Sequence, residues 1–221
     1  ADLRLGYDTS ILPPKKYLQP QEERMMTFSR TGDPVAEMVL DAPPTVILGV
    51  HTCDLHGIRV LDEAFGQGFP DAYYLERRKN TLLVGIECLA PCDDQSFCKD
   101  MGTLSVSDGY DLHLTDLGEV YAVNVGSVAG TSLLEGYSEA RQATEDDMKQ
   151  LNKVLGAKWP RFPFRLEFEV GELLPIMGMS QAYDNELWDR LADICLACGQ
   201  CTLVCPTCFC FNVYDEVELN L

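Results

Sequence analysis

Four thiols crowd into the segment Cys195-x2-Cys198-x2-Cys201-x3-Cys205-Pro206. Two-residue spacers let a tightly curled backbone aim three successive sulfurs at one inorganic centre. The fourth cysteine, after a three-residue spacer and ahead of proline, points elsewhere. Thiolates in this pattern ligate four-iron cubes, and the fourth one serves a neighbouring cube. The chemistry implied is transfer of single electrons. Cys208 and Cys210 continue the run within Pro206-Thr207-Cys208-Phe209-Cys210-Phe211. Either one is merely buried beside a cluster, or one supplements or replaces Cys205 as ligand to the second cube. Spacing leaves both open.

Rival chemistries fit this run less well. Two zinc knuckles need a spacer of roughly 12–20 residues between their Cys-x2-Cys pairs, and here the pairs overlap. A thioredoxin-type dithiol needs only one pair. A disulfide framework needs an oxidising compartment. The ten cysteines are also clustered rather than spread, with six between Cys195 and Cys210, three between Cys88 and Cys98, and Cys53 alone.

Cys88, Cys92 and Cys98 follow one predicted strand and Cys53 follows another. In a parallel α/β sheet the C-terminal ends of neighbouring strands share an edge where ligand sites collect. Cys53 is therefore expected to meet the Cys88–Cys98 loop. Four thiolates there suit a further 4Fe-4S cluster, or a zinc ion, with the cluster preferred. Buried unligated cysteines are the plainer reading. A loop rich in Asp, Pro and Gln argues against it. His51 and His56 flank Cys53, and structural roles are expected for both. His113 needs no special role.

These thiols require elements to position them. Ile11-Leu12-Pro13-Pro14-Lys15-Lys16-Tyr17 reads as an extended segment packed across a surface, leading to a short helix around residues 22–28. Thr45–Val50 and Thr81–Ile86 are compact apolar runs and read as buried strands. Asp54 is placed to cap a helix whose stripe is Leu55, Ile58, Leu61 and Phe65. Tyr110–Thr115 and Val120–Val125 alternate like strands around a hairpin loop at Asp116-Leu117-Gly118. Thr144-x-x-Asp147 opens a helix with Met148, Leu151 and Leu155 on one face. Arg165–Val170 reads as a further strand. Tyr183–Ile194 reads as a helix feeding the cysteine run, with Trp188 expected in the core. Gly126, Gly130 and Gly136 are too scattered to cradle a pyrophosphate. The fold class expected is an α/β (α+β) domain over residues 1–180, carrying the second cysteine site. A truncated 4Fe-4S segment follows over residues 181–221.

The net charge of −18, from 35 acids against 17 bases, argues against nucleic-acid binding. From Leu166 to Leu221 Arg190 stands alone against ten acids. That reads as a solvated acidic surface, ahead of a docking face for a basic partner. Acidic surroundings disfavour an added electron and lower a cluster's potential. No apolar run approaches the roughly 20 residues of a membrane span. A cytoplasmic location in a reducing, anaerobic cell is expected. The start at Ala1 and the stop at Leu221 without a second cysteine run both read as cuts.

Four segments together resemble the iron–sulfur beta subunits of cytosolic nickel–iron hydrogenases (sulfhydrogenases) and the anaerobic sulfite reductase A subunits. They are Leu12–Tyr17, Gly49-Val50-His51-Thr52-Cys53-Asp54-Leu55, Tyr73-Tyr74-Leu75-Glu76-Arg77-Arg78, and Cys195 through Phe211. The resemblance implies an α/β domain joined to a ferredoxin-like dicluster domain. It implies Cys195, Cys198 and Cys201 as ligands of one cube and Cys205 of the other. It further implies an electron relay between a flavin- or ferredoxin-type partner and a catalytic oxidoreductase subunit, of hydrogenase, sulfite or sulfur reductase, or heterodisulfide reductase type. The chain is then a component of an oxidoreductase complex rather than a stand-alone catalyst. Two alternatives accompany the relay. One is a scaffold stapled by its metal sites. The other is a subunit that binds a sulfur substrate at Cys53, Cys88, Cys92 and Cys98.

Overall fold

The computed structural model describes residues 5–29, 32 and 35–217, the side chain of Ser180 excepted. The last four residues of the expected 181–221 segment lie outside the described residues.

Two short strands, β1 (Met26–Phe28) and β2 (Ala36–Met38), form an antiparallel ribbon. The main sheet has four strands in the order β3 (Thr45–His51), β4 (Thr81–Ile86), β5 (Leu112–Asp116), β6 (Tyr121–Val125). β3 and β4 are parallel, β4 and β5 are parallel, and β5 and β6 close an antiparallel hairpin. Between β3 and β4 run α1 (Thr52–Gly66) and α2 (Ala72–Lys79). This is the mixed α/β arrangement expected from alternating apolar runs.

The core explains why these elements form. Leu55, Ile58, Leu61 and Phe65 recur at helical spacing, and all four are buried against Ile47, Val50 and Leu83 of the sheet. Phe65 stacks on Tyr74 of α2 with ring centroids 4.5 Å apart. The Tyr74 hydroxyl donates to Asp62 at 2.7 Å, so the buried ring keeps its polar tip satisfied. Asp71 caps α2 by accepting from the Tyr74 amide at 2.8 Å. Leu18, from the opening segment, is fully enclosed in this core.

The second half holds α3 (Val128–Tyr137), α4 (Glu145–Lys158), α5 (Leu173–Met177), α6 (Ser180–Tyr183), α7 (Glu186–Ile194) and α8 (Gln200–Val204). α4 opens with the reciprocal capping box of Thr144 and Asp147 that its sequence predicts. Leu151 of its apolar face is buried while Met148 stays exposed.

Several expectations are corrected. Residues 22–28 hold no helix, and 26–28 pair as β1 because an extended partner, β2, is at hand. Residues 14–17 form a 3-10 turn instead of continuing extended, with Pro14 pre-setting its first position. Asp54 lies in the first turn of α1, whose N-cap is His51. Residues 165–169 alternate like a strand but pair with none, because the Leu166 amide donates to Asp100 Oδ2 at 2.7 Å instead. The expected Tyr183–Ile194 helix is interrupted, and α7 begins after Asn185 caps it. Trp188 is 47% exposed rather than core, as are Leu187, Leu191 and Ile194 at comparable or greater exposure. Among the described residues no helix is long and apolar enough to cross a membrane.

Candidate metal centres

The cysteine run is built on a curled backbone. Ala197 and Gly199 both take left-handed conformations, with φ of 51° and 73°. For Ala197 that is an uncommon backbone state, and it turns the chain between successive cysteines. The Ala197 amide points at Cys195 Sγ, 3.4 Å away. Peptide N–H groups aimed at sulfur stabilise thiolates and tune clusters. Cys201 lies in α8, and Cys205 ends that helix with its amide bonded to the Cys201 carbonyl. The Thr207 hydroxyl, 3.4 Å from Cys205 Sγ, draws that thiol below its ordinary value, with nearby amides and the Lys15 charge adding to it. Cys195, Cys198, Cys201 and Cys210 are exposed, and Cys205 and Cys208 are partly buried. Cys210 is hydrogen-bonded to Cys208, which raises the Cys210 pKa.

The α/β domain grips this run at three places. Lys15 is only 6% exposed. Its Nζ donates to the carbonyls of Thr202 (2.8 Å) and Cys208 (2.9 Å). Pro206 lies on Gly57 of α1, where a Cβ would stand 3.1 Å from Pro206 Cβ. Phe209 meets Phe65 edge-on at 6.5 Å.

The second group starts from one edge of the sheet. β3 and β4 are parallel neighbours, so Cys53 at the start of α1 and Cys88 just after β4 emerge at one sheet edge. The Thr52 hydroxyl donates to Cys88 Sγ at 3.6 Å. The Cys92 thiol donates to the Asp8 carbonyl at 2.7 Å. Burial pushes Cys53 up to about 12, with Asp54 and then Cys88, Cys98 and Cys92 adding repulsion. Burial likewise raises Cys88 and Cys98, and lifts Cys92 to about 11. Asp54, also buried, rises to about 6. Cys53 senses the charges of the other three thiols, and Cys92 those of Cys88 and Cys98, a repulsion that a bound cation would relieve.

All ten cysteines are free thiols, which removes the disulfide framework. Among the described residues no three Cys, His, Asp or Glu side chains converge on a point where a metal ion would bind. A tetrahedral zinc site needs sulfurs about 3.8 Å apart, given Zn–S near 2.3 Å, whereas a cube of four irons spaces its thiolates more widely. The donor chemistry in both groups, soft sulfur with peptide or hydroxyl hydrogen bonds, fits iron–sulfur ligation.

The histidines take structural places. His51 is buried and stacked on Tyr7 at 4.3 Å, and burial lowers its pKa. The Tyr7 hydroxyl donates to the Gly49 carbonyl at 2.7 Å, where left-handed Gly49 makes a bulge in β3. His56 Nε2 donates to the Ser105 carbonyl at 2.9 Å. His113 is enclosed against Gly85, and burial, with Lys158 nearby, lowers its pKa to about 4.

Sequence reasoning missed three cations that hold the site together. Lys15 is one. Arg77 donates from Nε to the Leu18 carbonyl (2.7 Å) and from both terminal nitrogens to Glu23 (2.6 and 3.0 Å). Lys158 Nζ donates to Glu87 (2.6 Å), Ser105 Oγ (2.9 Å) and the Leu104 carbonyl (3.0 Å). Glu87 immediately precedes Cys88, so Lys158 ties the two ends of the cysteine loop together. No composition or periodicity signal marks such residues, because a lone lysine in a sequence reads as surface.

Residues 194–220 match the family model described as 4Fe-4S dicluster domain. Over 215 residues the chain is 37% identical to Sulfhydrogenase 2 subunit beta of Pyrococcus furiosus, a match that covers 97% of this chain and 62% of that protein. The chain thus spans less than two thirds of that relative's length. No solved structure gives a significant match. The chain is an iron–sulfur protein of the 4Fe-4S type and a homologue of the sulfhydrogenase beta subunit.

Proposed function

We propose that this chain is an electron-relay subunit of a multisubunit oxidoreductase. Single electrons pass through it between a flavin- or ferredoxin-type partner and a catalytic subunit of hydrogenase or sulfur-reducing type. The observation that carries the reading is the Cys195–Cys205 curl, with a peptide N–H on Cys195 Sγ and Pro206 seated on α1. Cys195, Cys198 and Cys201 are the ligands of one cube. Cys205, with Cys208 or Cys210 beside it, serves a second. Cys53, Cys88, Cys92 and Cys98 are the ligands of a further cluster. A 4Fe-4S cube supplies a one-electron couple tuned anywhere from about −700 to +450 mV by hydrogen bonds and burial.

The chain's own residues make two contributions. The Ala197 amide donates toward Cys195 Sγ, and the Thr207 hydroxyl favours thiolate at Cys205. The bare Gly57 lets Pro206 lie against α1 one helical turn, about 6 Å along the axis, from Cys53. The two cysteine groups are therefore neighbours across one helix, as a relay requires.

Iron and acid-labile sulfide per chain, measured on anaerobically purified protein, test the ligand assignment. Cys198→Ser is expected to remove about four irons and leave the Cys53 group loaded, and Cys92→Ser the reverse. Unchanged iron in either variant contradicts that site.

A further inference from the structure

The segment Leu12–Tyr17 supplies no cluster ligand, yet it carries a buried charge at Lys15. Lys15 and Lys16 are adjacent and identical in type. Lys16 is exposed, while Lys15 is enclosed and spends two hydrogen bonds on carbonyls six residues apart in the cysteine run. Burying a lysine is costly unless it is well partnered. The position of Lys15 is itself enforced. The 3-10 turn at residues 14–17 fixes its direction, with the Leu18 and Gln19 amides both bonded to the Lys15 carbonyl at 2.8 and 2.7 Å. Leu18 is locked in the core, and its carbonyl is held by Arg77 of α2. A continuous rigid path therefore runs from α2 through Leu18 to Lys15 and on to Thr202 and Cys208.

We propose that Lys15 is a positioning residue of the cysteine run. It pins the Thr202–Cys208 backbone to the α/β domain and raises the potential of the cluster that this segment holds. The claim rests on the relay reading for the cluster, but the pinning is independent of it. Both bonds end on carbonyl oxygens, so the ammonium keeps its full positive charge beside the cysteine ligands. An electron added to a nearby cluster brings one negative charge with no accompanying proton. A fixed positive charge favours that reduced state. For a unit charge on the order of 10 Å from the added electron, at an effective dielectric of about 20, the reduction equilibrium changes about tenfold. Tenfold corresponds to 59 mV for a one-electron couple. Lys15 thus offsets part of the downward pull from the acidic C-terminal region.

The test compares three variants of the anaerobically purified protein: Lys15→Met, Lys15→Arg and Lys16→Met. Midpoint potentials come from an EPR-monitored titration, and backbone opening comes from hydrogen exchange of residues 201–209 read by mass spectrometry. Lys15→Met is expected to lower one cluster's potential by about 59 mV and to speed exchange across 201–209 at least about tenfold. Lys15→Arg is expected to restore most of the potential, because the charge returns. Lys16→Met is expected to change neither reading. A Lys15→Met protein with the unaltered protein's potential and exchange overturns the proposal. So does a Lys15→Arg potential as low as that of Lys15→Met, since the charge would then have no part. If the unaltered protein shows no titrating signal, the relay reading fails. The exchange data then decide the clamp alone, and unchanged exchange overturns it.

Discussion

The buried pair between Lys158 and Glu87 makes the firmest quantitative prediction. The side chains are 2% and 8% exposed, and their N–O distance is 2.6 Å. Lys158 also satisfies the Leu104 carbonyl and the Ser105 hydroxyl. Lys158→Met keeps the apolar stem but leaves the Glu87 carboxylate buried without its counter-charge. Removing one partner of a buried pair costs about 3–5 kcal/mol. For a chain of this size each kcal/mol moves the melting temperature by about 2–4 °C, so a fall of about 6–20 °C is expected. Differential scanning calorimetry of the metal-free protein measures it. The double change Lys158→Met with Glu87→Met removes both charges, and it is expected to recover about half of the loss or more. The same single variant is expected to lose iron from the Cys53 group while retaining it at Cys195–Cys205, because the pair closes the loop that presents Cys88, Cys92 and Cys98. A Lys158→Met protein melting within about 2 °C of the unaltered one refutes the reasoning, as does a double variant less stable than the single.

Three further outcomes follow from other contacts. Gly57→Val places a branched side chain where Pro206 already stands 3.1 Å from a Cβ. Overpacking of this kind costs about 1–3 kcal/mol, and protease cleavage near Pro206–Phe209 is expected to quicken while the α/β core melts unchanged. Arg77→Met frees the Leu18 carbonyl and Glu23, a loss of about 2–3 kcal/mol measurable by urea unfolding, with faster exchange at residues 15–18. The pH dependence is set by thiols whose folded pKa lies above the unfolded value, Cys53 rising to about 12 and Cys92 to about 11. Their stabilisation is present below pH 9 and is lost as pH rises toward 12. Cys53 alone contributes up to about 1.4 kcal/mol per pH unit across that window. Urea midpoints of the metal-free protein are expected to fall from pH 8 to pH 10, and a flat or rising profile contradicts the burial assigned to these thiols.

β4 was legible because a strand buried on both faces writes itself as an unbroken apolar run, whereas the similar run of β3, expected to be buried, leaves Val46 and Leu48 exposed on one face. β4 (Thr81–Ile86) matches its sequence reading residue for residue. The helix stripe from Leu55 to Phe65 was legible for the same reason, that burial selects its positions. The ribbon of β1 and β2 was not, since three exposed residues per strand leave no alternation to read. α3 was missed because its marker is a cap. The Ser127 hydroxyl accepts from the Gly130 amide at 2.9 Å. Gly126 and Gly130 are bare for contact with Tyr110 and Asp111, where a Cβ would come within 2.2 and 2.1 Å of carbonyl oxygens. Strand alternation misled at 165–170, because pairing needs a neighbour that local sequence does not supply.

At the site, spacing identified the Cys195 run, and strand topology predicted that Cys53 would meet the Cys88–Cys98 loop. Neither could reveal which cations hold them. Lys15 differs from Lys16 only through a turn that aims one inward and the other out.

The account stands or falls on whether closely spaced sulfurs here carry exchangeable electrons. Stepwise reduction of anaerobically isolated protein, followed by low-temperature EPR with iron counted on the same sample, asks this directly. The prediction is cubane-type signals that appear and saturate at one electron per four irons, and of which the share of one cube, with its irons, is lost in Cys195→Ser/Cys198→Ser protein. Iron-free protein, or iron whose spectrum no reductant changes, contradicts the account.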